Sequence, residues 1–244
     1  MLQGLYAAAS GMEAQQNQFN AISNDLANLN TPGYQSTEVG FSDLLYSGAG
    51  SASGTTMATG TGAASSIIGR SQTEGALDTT GQPLDVAISG EGFLQVRRND
   101  GSIGLTRDGT LQTNSQGEIT DTQGNPLVPS IKLPTGDSPA DVTIDPNGNV
   151  SSKGQKLGTI AIVNVPAPDQ LQPNGDNTYS VTAGSGATRA ATGSTLQQGA
   201  LEGSNVDANA AMTDMINAQR TYQMASQAIQ YQSQMLQIAD TLKK

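Results

Sequence analysis

The chain has 244 residues, enough for one large domain or two modest ones, with a hydrophobic share of 35% and 29 glycines. It holds no Cys, no His, no Trp and only three Phe, which excludes disulfides, zinc-thiolate sites, thiol nucleophiles, imidazole catalysis and an aromatic-rich core. The net charge is -10, and residues 1–69 contain no Lys or Arg, which argues against nucleic acid and anionic lipid as partners.

The start, Met-Leu-Gln-Gly-Leu-Tyr, has neither a basic n-region nor a continuous apolar h-region, so a cleaved secretory signal is not expected. No apolar run reaches the roughly 20 residues that a membrane-spanning helix needs. From Leu2 to Leu29, Leu5, Ala8, Met12, Gln15, Phe19, Ile22, Leu26 and Leu29 recur at alternating spacings of three and four. That period puts them on one seam of a helix of roughly 40 Å. Asn30-Thr31-Pro32-Gly33 is a strong stop, because proline and the residue before it resist helix and glycine permits the turn.

Phe41-Ser42-Asp43-Leu44-Leu45-Tyr46 is a short apolar patch, and residues 47–66 are almost wholly Ser, Gly, Ala and Thr. Such a stretch has little to bury and needs neighbours to become ordered. From Gly75 to Gln198 the pattern changes to short alternating runs. Leu84 to Ile88, Phe93 to Val96 and, most clearly, Gly158 to Val165 read as strands. Asn99-Asp100-Gly101, Asp108-Gly109, Asn125-Pro126 and Asn147-Gly148 read as turns. The expectation is an antiparallel β-domain rather than a βαβ fold.

A second long helix is predicted from between Asn205 and Asn209 to Leu242, roughly 50 Å, with Asn205 or Asp207 as its cap. Its seam is Met215, Ala218, Tyr222, Ala225, Ile229, Gln232, Leu236 and Ala239. Further apolar positions lie off the two seams, at Leu2, Met212, Ile216, Ile238 and Leu242, and a helix with more than one apolar stripe calls for more than one neighbour. Ala7, Ala8, Ala9, Ala218, Ala225 and Ala239 permit close helix approach. The fold class is therefore α+β: long N- and C-terminal helices pairing in coiled-coil fashion, with a central, mostly antiparallel β-domain.

Candidate chemistry is thin. Asp145-Pro146-Asn147-Gly148-Asn149 lacks the glycine and terminal Glu spacing of an EF-hand and reads as a hairpin turn. Ser89-Gly90-Glu91-Gly92 has no base to activate a nucleophile and is too short for a dinucleotide fingerprint, so it reads as a β-turn. Asp141 and Asp145 lack the aromatic platform of a sugar site. No catalytic residue, metal ligand or cofactor is assigned, and an enzyme is not expected.

Four ordered motifs resemble the rod and hook members of the axial proteins of the bacterial flagellum. They are Ser23-Asn24-Asp25-Leu26-Ala27-Asn28-Leu29-Asn30-Thr31-Pro32-Gly33-Tyr34, then Asp85 to Val96, then Leu105-Thr106-Arg107-Asp108-Gly109 with Gly117-Glu118-Ile119 and Gly124 to Val128, and last Glu202-Gly203-Ser204-Asn205-Val206-Asp207 with Ala218 to Tyr222. Phe41 to Tyr46 is most similar to the distal rod members. The resemblance implies a structural subunit of the distal rod that assembles helically and carries torque from motor to hook. A proximal rod or hook-type axial protein is the nearest alternative, and a surface adhesin or binding β-module the alternative from another class. It implies a tube domain of residues 1–33 and 201–244, a linker and rod-specific segment over 34–74, and a β-domain over 75–200. The expected assembly interface is Leu5, Met12, Phe19, Ile22, Leu26, Leu29, Met215, Tyr222, Ile229, Leu236 and Leu242. Implied partners are further copies of the chain, proximal rod proteins, the hook protein, bushing ring proteins where an outer membrane exists, and the flagellar export apparatus. Small-molecule substrates and nucleic acid are not expected. The implied location is the basal body outside the cytoplasmic membrane, in the periplasm or cell wall, reached without a cleaved signal peptide.

Overall fold

The computed structural model describes residues 2–44, 46–47, 59–60, 62–134 and 136–241. They fall into two units, one of Met1–Ala27, Thr37–Ile68 and Asp207–Lys244, the other of Asn28–Ser36 and Gly69–Val206. The architecture is α+β: two long helices and a mostly antiparallel set of strands.

In the helical unit, α1 spans Leu2–Ala27 and α2 spans Ala208–Thr241. α1 stops two residues before the expected Leu29, where the Asn28 carbonyl accepts from Thr31 N–H and starts a turn. Asp207 caps α2: its Oδ1 accepts from the free N–H groups of Asn209 (2.8 Å) and Ala210 (3.2 Å). The other candidate cap, Asn205, lies ahead of the helix and is used differently. The two helices pack together, with Gly4 near the start of α1 against the Gln232 side chain near the end of α2, as antiparallel helices require.

α1 also carries the segment expected to be a linker. Strand Thr37–Asp43 pairs with strand Ala63–Arg70, and Tyr46–Ser47 pairs antiparallel with Thr59–Gly60. Small polar groups on α1 hold this ribbon. Ser10 Oγ accepts from Ala63 N–H, Asn17 Nδ2 donates to Ser65 Oγ at 3.1 Å, and the Asp25 carboxylate accepts from Thr37 N–H at 3.1 Å. Of the low-complexity segment, residues 48–58 lie outside the described residues.

The β-unit is built on a six-stranded antiparallel sheet in the order Gln172–Gly175, Thr178–Ser180, Ile103–Thr106, Phe93–Arg97, Ile162–Asn164, Arg189–Ala190. Alternation decides its two faces. Leu94 and Val96 join a cluster of fifteen buried aliphatic residues, while Phe93 and Leu105 join Val163, Val165 and Tyr179. The larger core contains no aromatic ring, as the composition requires. The smaller has one edge-to-face pair, Phe93 with Tyr179 at 6.0 Å.

Two readings of the sequence are corrected. The run from Gly158 to Val165 is not one strand. Gln155–Thr159 ends a three-stranded sheet with Val142–Ile144 and Asn149–Ser152, and Ile162–Asn164 belongs to the six-stranded one. Ile160 N–H donates to the Gly148 carbonyl at 2.7 Å and turns the chain from one sheet to the other. Asp108-Gly109 is not a turn either. A Cβ on Gly109 would lie 1.6 Å from the Val86 carbonyl oxygen, so this glycine marks a backbone crossing.

Three turns share one device. Asn114, Asp121 and Asp145 each open a five-residue turn with glycine in fourth place at positive φ: Gly117 (76°), Gly124 (84°) and Gly148 (80°). In each, Oδ1 of the opening residue accepts from two backbone N–H groups, two and four residues on, at 2.8–2.9 Å. The opening side chain also bonds the side chain that closes the turn: Asn125 Nδ2 donates to Asp121 Oδ2 (2.9 Å), Asn149 Nδ2 to Asp145 Oδ2 (2.8 Å), and Asn114 Nδ2 to Glu118 Oε2 (3.3 Å). These bonds, the Asn149 side chain first, hold the Asp145 carboxyl below its ordinary value of 3.8. A depressed carboxyl stabilises the fold above its unfolded value and loses that contribution as pH falls through the folded one. The protection factors of the Gly148 and Asn149 amides should therefore hold at neutral pH and fall below that ordinary value. Asp145→Ala should lower the protection of both amides about tenfold at neutral pH, read by hydrogen exchange, the scale of one lost hydrogen bond.

Candidate functional site

One stretch of each of the four motifs meets the others inside the β-unit, while Ser23 to Ala27 and Ala218 to Tyr222 lie in the helical unit. Gly33, at φ +64°, lies so close to the chain at Arg107 and Asp108 that a Cβ would stand 2.5 Å from the Arg107 carbonyl carbon. Gly33 N–H donates to the Glu202 carbonyl at 2.7 Å, and Asn177 Nδ2 donates to the Pro32 carbonyl at 2.7 Å. The Thr-Pro-Gly-Tyr turn is thus clasped between residues nearly 75 and 170 positions further along the chain.

Beneath it lies a buried ion pair. Arg107 Nε donates to Glu202 Oε2 at 2.8 Å, with the two side chains only 1% and 3% exposed. Arg107 Nη2 donates to the Gly90 carbonyl at 3.1 Å, and Glu202 Oε1 accepts from Gly75 N–H at 3.2 Å. Gly90 N–H in turn donates to the Glu74 carboxylate. The Ser89-Gly90-Glu91-Gly92 link therefore supplies a carbonyl to the ion pair and an amide to Glu74, and the buried charges have the extra bonds that such a pair needs. Burial pushes the neighbouring Asp108 carboxyl above its usual range.

A second cation binds the same turn from outside. The Arg70 guanidinium stands 5.5 Å from the Tyr34 ring centre and 5.4 Å from that of Tyr179, and Arg70 Nη1 donates to the Gln35 carbonyl at 2.8 Å. Asn205 completes the arrangement. Its backbone N–H donates to the Tyr34 carbonyl, its Oδ1 accepts from Ser36 N–H at 2.7 Å, and its Nδ2 donates to the carbonyls of Ser71 (3.1 Å) and Thr73 (3.0 Å). Every one of these groups is a structural donor, acceptor or stacking surface bonded to another part of the chain. Among the described residues no group of three or more Asp or Glu stands placed to hold a metal ion. An open cleft of about 360 Å³ is lined by Glu91, Asn164, Arg189 and Ser194, and Asn164 Nδ2 donates to Glu91 across it at 3.3 Å.

The seam residues lie in the helical unit, apart from Leu29, which belongs to the turn. Leu5, Met12, Phe19, Ile22, Leu26 and Leu29 are half-buried, as are Met215 and Ile229. Tyr222 is on the exposed side of the boundary, at 40%. The side chain of Leu236 and the whole of Leu242 lie outside the described residues. The most buried apolar side chains of the helices are Ala14 and Ala218, which lets the backbones come close. The periodicity singled out Ala218 and passed over Ala14. It also passed over Met224, Tyr231 and Met235, which with Met212, Ile216 and Ile238 are at least half exposed on α2. Their spacing of three, four, seven and eight was legible, but their offset from the stronger seam hid it.

Two paired helices and a β-unit locked by its own motifs make up the architecture of the described residues. Residues 5–35 match the flagella basal body rod protein family, residues 87–152 the flagellar hook protein FlgE/F/G D1 domain, and residues 197–242 the flagellar basal body rod FlgEFG protein C-terminal region. Similar proteins include the flagellar basal-body rod proteins FlgG of Caulobacter vibrioides (37% identical, covering 99% of this chain and 100% of the relative) and of Agrobacterium fabrum (35%, 97% and 98%). The rod protein FlgF of Escherichia coli is 34% identical, over 92% of each chain. The chain belongs to the flagellar basal-body rod protein family. Its role is that of a structural subunit of the distal rod, and it is not an enzyme.

Proposed function

We propose that α1 and α2 form a coiled-coil-like unit that packs against further copies of the chain to build the wall of a helical tube. Residues 1–33 and 201–244 supply the tube wall, 34–74 the linker and rod-specific segment and 75–200 the β-domain. The observation that carries this reading is the exposed stripe on α2. At about 100° per residue, Met215, Ala218, Ala225, Ile229 and Gln232 share one side of the helix, and Met212, Ile216, Met224, Tyr231, Met235 and Ile238 share the other. α1 occupies the first side, and six large apolar residues on the second call for a neighbour. A contact that does not close on itself generates a helix, and such a tube transmits torque from motor to hook as shear over many contacts. Partners are the same chain, proximal rod proteins, the hook protein, bushing ring proteins where an outer membrane exists, and the export apparatus. The assembly stands outside the cytoplasmic membrane, in the periplasm or cell wall.

The Tyr231→Asp, Ile238→Asp double variant tests this reading. Each buried apolar side chain contributes roughly 1.5–3 kcal/mol, so two charges in their place should abolish filament formation by concentrated protein in electron micrographs while the β-unit melts unchanged. Filaments at the unsubstituted threshold concentration would remove α2 from the interface. Ile22→Asp and Ile229→Asp, on the helix–helix seam, should also abolish assembly.

A further inference from the structure

Asn205 occupies a particular place in the course of the chain. The backbone passes between the two units four times, after Ala27, Ser36, Ile68 and Val206. Three of those passages lie within three residues of groups that Asn205 binds directly or of Asn205 itself. Ser36, the last residue before one passage, donates its N–H to Asn205 Oδ1 at 2.7 Å. Ser71, two residues beyond the next, gives its carbonyl to Asn205 Nδ2 at 3.1 Å. Asn205 is itself one residue ahead of Val206, where the last passage begins. A backbone bond from Ser71 N–H to the Ser36 carbonyl, 2.9 Å, closes the ring.

We infer that Asn205 is a positioning residue that ties the chain's exits together at one place on the β-unit, so that the segments leading to the helices leave from a single braced point. The chemistry needs this residue type. Only a primary amide offers an acceptor and two donors on one short planar group, and here the acceptor faces a backbone N–H while the donors face carbonyls. Aspartate keeps the acceptor and turns an oxygen toward two carbonyls. Alanine removes both functions. The surrounding β-unit has its own core and its own ion pair, so the brace is separable from folding.

Hydrogen exchange on the full-length chain, in dilute solution, reads the brace amide by amide. In Asn205→Ala, Ser36 and Ser71 should exchange at least tenfold faster, although the Ser71 bond to Ser36 does not involve the substituted side chain. Val86 and Leu94, in the core, should keep their rates. In Asn205→Asp, Ser36 should keep most of its protection and Ser71 should lose it. A role confined to local hydrogen bonding would speed Ser36 alone and leave Ser71 untouched, and that result overturns the inference. Unchanged rates at both positions in either variant overturn it as well. If Asn205→Ala also releases Val86 and Leu94, the brace is part of the core and the inference falls for that reason. No step of this test depends on assembly, so its failure and that of the tube reading are separately visible.

Discussion

Glu202→Ala is expected to be among the most damaging single substitutions in the β-unit. It leaves Arg107, 1% exposed, with a cation whose one remaining bond in the pocket is to the Gly90 carbonyl, and it strips Gly75 N–H of its acceptor. Removing one partner of a buried pair costs about 3–5 kcal/mol, because a charge remains in a medium that cannot solvate it. That is a large share of the roughly 5–15 kcal/mol that holds a typical domain together. Urea denaturation should show the loss as an earlier midpoint. Glu202→Gln, which keeps an acceptor for Nε, should lose less. The paired change Arg107→Met with Glu202→Leu removes both charges and should recover much of the stability. A Glu202→Ala midpoint within error of the unsubstituted chain would mean that the pair is idle.

Gly33→Ala is the second. Two costs add at this position. An L-residue at φ +64° is strained, and the new methyl would meet the Arg107 carbonyl carbon at 2.5 Å and its oxygen at 2.7 Å. Backbone cannot move aside as a flexible side chain can, so the turn must lift and break the 2.7 Å bond from Gly33 N–H to Glu202. Together these should cost about 2–4 kcal/mol, measured as a lowered melting temperature of the β-unit. Gly33→Asn separates the two costs. Asparagine tolerates the left-handed region but carries the same Cβ, so it should be nearly as harmful as alanine. Full rescue by asparagine would show that strain alone is at work.

What could be read from the chain was local. The seams fixed both helices because a repeat of three and four residues needs no knowledge of the rest of the fold. Asp145 to Asn149 was readable as a turn because its bonds lie within five residues. The corrections all involve distant partners. Nothing near Gly109 announces that Val86 will press against it, and nothing within Gly158 to Val165 says that Gly148 will divert the chain at Ile160. Asn205 looked like a helix cap, since Asn at that distance from a helical run does cap helices. Its real contacts, Ser36 and Ser71, are more than 130 residues away. The motifs themselves were recognisable as strings, but only the folded chain shows that Gly33, Arg107 and Glu202 touch.

The three turns opened by Asn114, Asp121 and Asp145 have a consequence for how the chain becomes ordered. Each satisfies itself from its own neighbours, so each can form before any distant partner has arrived. A polypeptide delivered as an open thread would then meet its destination already equipped with three seeds, each reversing its direction and setting two flanking segments side by side. Strand pairing would start at those places and spread outward, without waiting for the two ends of the molecule to find each other.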